Sequence, residues 1–389
     1  MRQKGSDYIL VLPSWYPSKL SISNGDFNER WVNAVAPYEK QIVIYVATKK
    51  GSQLSTDEHF VNENVITFKR YFPNSRLDIV NGVNLIINYL AVFKIVFKKY
   101  GLPKLVHNYV FFPSGIFSLY LKWKYNLKLV LTEHWSLFNE AENAAYNFRK
   151  QSIFKKLVYR LILKKFDLVI GVSEGLTNSV AKWTRKACRH YTMPNVVDVS
   201  LFYCQVKENS ETDFTFIHVS SFAKQKNTLD ILKAFHLLLS NDNITAKLLL
   251  IGGHQDSIDE YLFENQNIKK YVIVSKHVAY NKVAELMRSA DAFVLNSDYE
   301  HMPCVILEAL CCGLPVISTK VGGVAEVINN ENGILINKRS PVELQNAMLQ
   351  MVRNPTFYNK AMISSQAIEN FSYTTIGKKT ADLYKELLK

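Results

Sequence analysis

Two carboxylates frame the chemistry. Glu300 and Glu308 stand in SDYEHMPCVILEALCCGLP (297–315), with seven residues between them. Glu300 follows the apolar run AFVLNS (292–297), and Glu308 lies among small and apolar residues. Pro303 suits the first turn of a helix, where its missing N–H costs nothing. The spacing predicts a helix over VILEALCC (305–312), stopped by Gly313 with Pro315 beyond. Free N–H groups of its first turn, from about Cys304 to Ile306, would then point into the loop that carries Glu300. Such a terminus suits a phosphate or a polarised oxygen. Glu308, one turn further in, is placed to accept from the vicinal hydroxyls of a ribose. The pattern predicts one carboxylate for each of two sugars, with a phosphate-holding helix terminus between them. Glu300 alone would be a plain loop carboxylate. Glu308 alone would be a solvated helix residue, a reading that its apolar neighbours oppose.

These residues need a frame of strands and helices. Apolar, β-branched runs occur at 8–13, 41–48, 128–132, 167–173, 214–221, 247–253, 292–297 and 315–319. Helical patterns such as TLDILKAFHLLLS (228–240) and NKVAELMRSA (281–290) lie between them. The alternation predicts an α/β protein with parallel sheets, in two doubly wound Rossmann-like domains facing across a cleft. Ligands of such sheets bind beyond the carboxyl ends of the strands. The polar segment PNVVDVSLFYCQVKENSETD (194–213) reads as the linker. The expected domains are 1–200 and 201–372, with a final helix over 373–389 returning to the first domain.

The chain has 389 residues and a net charge of +13. Residues 1–200 carry 28 Lys/Arg against 14 Asp/Glu, and residues 201–389 carry 19 against 20. The basic first half suits an anionic surface, phospholipid or nucleic acid. Nucleic acid is the weaker fit, because aromatic and basic residues do not combine in a known module. The five cysteines show no metal-ligand spacing and suit buried, reduced thiols. The longest apolar stretch, VNLIINYLAVF (83–93), stops at Lys94, short of a membrane span. The basic N-terminal start is followed by too few apolar residues for a signal peptide. A cytoplasmic protein, peripheral on the inner face of a membrane, is the expectation.

The segment ADAFVLNSDYEHMPCVILEALCCGLPVISTKVGGVAEVI (290–328) resembles the retaining glycosyltransferases of family 4, which have the two-domain GT-B fold. The resemblance extends over nearly the whole chain. WYPSKLSISNGDFNERW (15–31), LTEHWS (131–136), FDLVIGVSEGLTNSV (166–180), MPNVVD (193–198) and HVSSFAKQKNTLDILKAF (218–235) match further family segments. It implies that Glu300 contacts the donor sugar and that the backbone of Met302, Pro303, Cys304 and Val305 lines sugar and pyrophosphate. Glu308 would bind the nucleotide ribose, Lys226 the pyrophosphate and His134 the donor sugar. Gly25 would let backbone approach phosphate and acceptor. There are departures. Ser221 stands where the family often has arginine, which leaves Lys224 as a substitute cation. Asn24-Gly25 replaces a glycine pair, and His277 replaces a glycine before the base-contacting turn.

Each residue also has a plainer reading. Asn24-Gly25 is a common hairpin turn. His134 fits a satisfied strand-end histidine, and Lys226 a surface lysine. Gly252-Gly253 in IGGHQ is a weak phosphate-loop signal. Gly322-Gly323 fits a tight turn. In QSIFKKLVYRLILKK (151–165), Ile153, Phe154, Leu157, Val158, Leu161 and Ile162 form one helical stripe. It reads either as an interfacial helix on anionic lipid or as a core-facing helix with a basic outer face.

The resemblance implies transfer of a hexosyl-type unit from a nucleotide-diphosphate sugar to a glycan or lipid-linked acceptor, with retention, in cell-surface polysaccharide, lipopolysaccharide or glycolipid synthesis. No Asp-x-Asp pair occurs, so no metal or other cofactor is expected and Lys226 with the helix terminus meets the diphosphate charge. The alternatives are a sugar-nucleotide epimerase of the same fold and a non-catalytic nucleotide-binding membrane adaptor.

Overall fold

The computed structural model describes residues 7–62, 64–138, 147–205, 213–241 and 244–389. It divides into two compact units, one running to Val196 and including Tyr373–Lys389, the other Val197–Ser372. The division falls inside the expected linker, of which 206–212 lie outside the described residues.

The first unit is built on eight strands: β1 (Ile9–Pro13), β2 (Gln41–Lys49), β3 (Ser55–Asn62), β4 (Val65–Pro73), β5 (Leu105–Tyr109), β6 (Lys128–Glu133), β7 (Leu168–Gly171) and β8 (Arg189–Thr192). Their order is β3-β4-β2-β1-β5-β6-β7-β8. The expectation of parallel sheets fails at one edge, where β3 pairs antiparallel with β4. A short connection lets those two strands form a hairpin, which parallel neighbours cannot do. The other pairs are parallel.

Helices cover both faces. α1 (Asp26–Val35) and the last helix, Tyr373–Leu388, share a core with Ile9, Val11, Val43, Val130 and Ile170. Gly377 permits this contact, since a Cβ there would lie 1.8 Å from the Ala34 carbonyl oxygen. Tyr384 of the last helix hydrogen-bonds the buried His107 of β5, whose other ring nitrogen meets the Thr132 hydroxyl at 2.9 Å.

α2 (Asp78–Tyr100), α3 (Gly115–Tyr125) and α4 (Ile153–Leu163) form a second layer, followed by α5 (Glu174–Ala181). α2 corrects the expectation that no helix reaches spanning length. Lys94 does not end it, and by length and composition its 23 residues could cross a membrane. Its buried residues, including Leu85, Tyr89, Val92, Phe93 and Val96, instead belong to the packing beside β2 and β4.

In the second unit, β9 (Phe214–Val219), β10 (Ala246–Ile251), β11 (Val272–Ser275), β12 (Ala292–Leu295), β13 (Val316–Thr319) and β14 (Gly333–Ile336) form a sheet ordered β11-β10-β9-β12-β13-β14. All its pairs are parallel. The helices are α6 (Thr228–Leu239), α7 (Asp256–Glu264), α8 (Gln266–Lys269), α9 (Tyr280–Ser289), α10 (Cys304–Cys311), α11 (Val324–Val327), α12 (Pro341–Arg353) and α13 (Lys360–Phe371). The last helix of the chain is therefore α14. The strand order reverses direction beside β9 and β12, the position at which doubly wound sheets open a ligand crevice.

α10 begins one residue earlier than the spacing predicts. Pro303 is its N-cap, with φ −69° and ψ 120°, rather than a first-turn residue. Proline tolerates that place because a cap needs extended backbone and no intrahelical N–H donor. The helix ends as expected at Gly313, with φ +76°. Gly313 N–H donates to Leu310 at 2.9 Å and Leu314 N–H to Ala309 at 3.0 Å, which satisfies the last carbonyls.

Candidate functional site

In the second unit, adjacent strands β9 and β12 deliver two loops to one place. The loop after β9 ends in the turn Lys224–Lys226, and the loop after β12 carries Glu300. Backbone and side chains stitch the loops together. Asp298 N–H donates to the Gln225 carbonyl at 2.8 Å, and Tyr299 hydroxyl donates to the Gln225 side chain at 2.6 Å. Asn227, left-handed at φ +46°, donates to the Asn296 carbonyl at 3.0 Å.

This frame brings Lys226 and Glu300 into a mostly buried ion pair. The Ser297 hydroxyl donates to the same carboxylate oxygen at 2.7 Å. Lys226 is thus not the simple surface lysine of the plainer reading, and Lys224 is the exposed one. Gly322, at φ +48°, lies so close to Glu300 that an added Cβ would sit 1.8 Å from its carbonyl oxygen. Gly323 N–H donates to the His301 carbonyl at 2.7 Å. The glycine pair therefore does more than turn the chain: it seats the Glu300 loop.

α10 follows directly. Met302 and Pro303 are buried, while Cys304 and Val305 are half-buried at its N-terminus. The helix dipole favours negative charge there. Glu308 is buried at 2% exposure and accepts a hydrogen bond from Tyr280 hydroxyl at 2.7 Å. Burial rules out the solvated reading. Tyr280 opens α9, and its ring packs on Phe202 with centroids 5.1 Å apart.

Ser221 is exposed in the turn after β9. That turn is held by His218, buried in β9. Its Nδ1 donates to the Val294 carbonyl at 2.8 Å, and its Nε2 meets the Ser220 hydroxyl at 2.8 Å. Burial pulls the His218 pKa down to about 4, so the ring is neutral at pH 7. Gly252 and Gly253 pack against this turn. A Cβ on either would fall within 2.8 Å of Ser220, Ser221 or Phe222 atoms, so backbone packing explains the pair.

Gly25 and His134 belong to the first unit, at the carboxyl ends of β1 and β6. Gly25 does not form a hairpin turn. It is the left-handed N-cap of α1, with φ +73°. The close approach it permits is to Trp15, whose carbonyl carbon and oxygen would each lie 2.4 Å from an added Cβ. His134 packs on Phe27, two residues beyond Gly25, with centroids 4.7 Å apart. The structure thus brings these two candidates to one end of their sheet.

The residue before His134 was missed in the sequence. Glu133 is fully buried. One carboxylate oxygen accepts from the N–H groups of His134 and Trp135 at 2.9 and 2.7 Å, and the other from Phe111 N–H at 3.1 Å. Burial pushes its pKa up to about 7, against the pull of the three N–H groups. Ser297, Gln225, Tyr280 and His218 were also missed. Only Ser297 carried a signal, as the polar residue that ends an apolar strand three positions before Glu300. Among the described residues, no cluster of three His, Cys, Asp or Glu side chains is placed to hold a metal.

Two doubly wound sheets of this build are those of the GT-B fold class. The chain belongs to the glycosyltransferases of this class: residues 203–369 match the family of Glycosyl transferases group 1, and residues 40–201 match Glycosyltransferase Family 4. It is 25% identical over 317 residues to a Methanocaldococcus jannaschii glycosyltransferase, MJ1178, covering 81% of each chain. It is 30% identical over 205 residues to N-acetyl-alpha-D-glucosaminyl L-malate synthase of Bacillus anthracis, covering 50% of this chain and 52% of that protein. Among solved structures, sucrose-phosphate synthase of Thermosynechococcus elongatus superposes with a TM-score of 0.75 at 20% identity, covering 98% of this chain and 99% of that one. Anabaena HepE in complex with UDP does so with a TM-score of 0.69 at 17% identity, covering 97% and 100%.

Proposed function

We propose that the protein transfers a hexosyl unit from a nucleotide-diphosphate sugar to a glycan or lipid-linked acceptor, with retention of configuration, at the inner face of a membrane. The observation that carries this reading is the Lys226–Glu300 pair at the head of α10, with Glu308 buried one turn further in. In the proposed complex, Glu308 accepts from ribose hydroxyls, while Lys226 and the α10 terminus meet the diphosphate. Glu300 accepts from hydroxyls of the donor sugar. Met302 to Val305 line the donor, and the exposed Ser221 turn borders it.

The chemical step breaks the bond from the anomeric carbon to the diphosphate oxygen and forms a bond from that carbon to the acceptor oxygen. The acceptor proton passes to the departing diphosphate oxygen on the same face. Glu300 already accepts from Lys226 and Ser297, which suits holding a hydroxyl better than attacking carbon. His134 and the Gly25 loop stand together at one end of the first unit's sheet.

HepE was solved with UDP, so UDP heads the donor panel. Thermal unfolding with UDP-, GDP- and other nucleotide sugars, with and without EDTA, tests the reading. A ligand at a hundred times its Kd raises stability by about 2.7 kcal/mol. A shift with one nucleotide series, insensitive to EDTA and lost in Glu308→Ala, supports it. NDP-sugar products formed without acceptor would favour the epimerase, and unimpaired function in Glu300→Gln would favour the adaptor.

A further inference from the structure

The helical layer of the first unit leaves apolar rows in water. On α4, Tyr159, Ile162 and Leu163 are buried, but Ile153, Phe154, Leu157 and Leu161 are 86%, 75%, 57% and 53% exposed. The sequence left this helix between a core-facing and an interfacial reading, and four residues of its stripe do not face a core. On α2, Ile79, Val83 and Ile87 are 83%, 52% and 55% exposed, and on α3 Trp123 is 82% exposed.

The three helices are neighbours. α3 meets α2 through the Phe93–Phe117 and Phe97–Tyr125 ring pairs. It meets α4 where a Cβ on Gly115 would lie 2.8 Å from an Ile162 methyl. Exposed apolar residues in single file are ordinary, but several on adjoining helices mark an interaction surface.

Charge identifies the occupant. α2 and α4 carry three Lys or Arg each and α3 adds Lys124, against a single acid on these helices, Asp78 at the start of α2; Lys122 of α3 turns inward and pairs with the buried Asp167. Lys164 and Lys165 follow α4 directly and are exposed. A second copy of the chain would bring two such cationic faces together, which like-charge repulsion opposes. An anionic bilayer satisfies both features, with apolar side chains in the acyl boundary and basic ones at headgroup phosphates.

We propose that the α2–α3–α4 face docks the protein on an anionic lipid bilayer, with Phe154, Leu157 and Leu161 as inserted side chains. The proposal extends the reading of a lipid-linked acceptor, but its test needs no glycosyl transfer. Flotation of the full chain is measured with phosphatidylcholine vesicles, alone or mixed with phosphatidylglycerol, at two salt concentrations. Binding to the mixed vesicles, weakened by salt, is expected. The triple variant Phe154→Ser, Leu157→Ser, Leu161→Ser should lose at least about tenfold in partitioning. Lys155→Glu with Lys164→Glu should lose about fivefold or more for each lysine. All five side chains are exposed, so the fold should survive, and an unchanged circular dichroism spectrum and unfolding midpoint in the variants verify that the first unit is intact. Absence of vesicle binding, equal binding to neutral vesicles, or full binding by the serine variant overturns the proposal. So does a concentration-dependent dimer, abolished by the serine substitutions, without vesicle binding: that result assigns the face to a second copy.

Discussion

Lys226 and Glu300, 74 residues apart in sequence, neutralise each other across two loops. Each is the other's counter-ion at a mostly buried site. Donor binding on the proposed reading divides them, the ammonium going to diphosphate and the carboxylate to sugar hydroxyls. Glu300→Gln should therefore cut kcat/KM by at least about 100-fold while affinity for the donor's nucleoside diphosphate changes by less than about threefold. Lys226→Ala should weaken that diphosphate binding itself. Steady-state kinetics with isothermal titration of the nucleoside diphosphate that the donor panel selects separates the two, and equal loss of its affinity in both variants would contradict the division of roles.

Tyr280 holds the Glu308 carboxylate from α9. On the proposed reading of Glu308, Tyr280→Phe should raise the donor KM severalfold with kcat little changed, because the hydroxyl then orients a binding group and not the reacting atoms. The penalty should shrink for a 2′-deoxyribose donor, which asks less of Glu308. An equal penalty with both donors would remove Glu308 from ribose recognition.

Gly25→Ala and Gly322→Ala should both be costly, for different reasons. Each forces a side chain into left-handed backbone and into a neighbouring carbonyl. Each should lose roughly 2 kcal/mol or more in denaturant unfolding. Gly322→Ala should also displace Glu300 and abolish transfer in protein that remains folded. Retention of normal activity there would disconnect the glycine pair from the site.

The buried ionisable groups pull the pH profile in opposite directions. His218 titrates near 4 when folded and near 6.5 in its ordinary state. His107 is likewise lowered to about 3 by burial. As pH falls below about 6.5, the unfolded chain takes up protons that these rings refuse, so stability falls towards pH 4. Glu133 is raised from 4.5 to about 7, so the folded state holds its proton longer than the unfolded chain. Its contribution is present below about pH 4.5 and is lost as pH rises through 7. Glu133→Gln should thus compare more favourably with the wild type at pH 8 than at pH 4.5. Chemical unfolding at several pH values checks the sign.

Much of the fold was legible because buried parallel strands write themselves as short β-branched runs. All eight runs read from the sequence are strands. Most of those missed are edge strands or strands whose composition is mixed. β3 (STDEHFVN), β8 (RHYT) and β14 lie at or beside sheet edges, and β5 (LVHNY) hides buried polar groups inside the core. The Glu300 and Glu308 positions were legible because one short segment carries strand, loop, helix cap and stop together. Glu133, His218 and Tyr280 were not. Their partners lie on other elements, up to 76 residues away for His218, and no local pattern announces such a pairing.

The last helix has a consequence for how the chain is made. α14 supplies Ile376, Leu383, Tyr384 and Leu387 to the core around β1, β2 and β6, yet it is translated after the whole of the second unit. On the ribosome, the first unit must wait with α1 uncovered and His107 lacking its tyrosine partner while 176 intervening residues, Val197–Ser372, emerge and fold. A stop codon just before α14 would leave the second sheet whole and the first unit unfinished, its apolar surface open to chaperones and proteases.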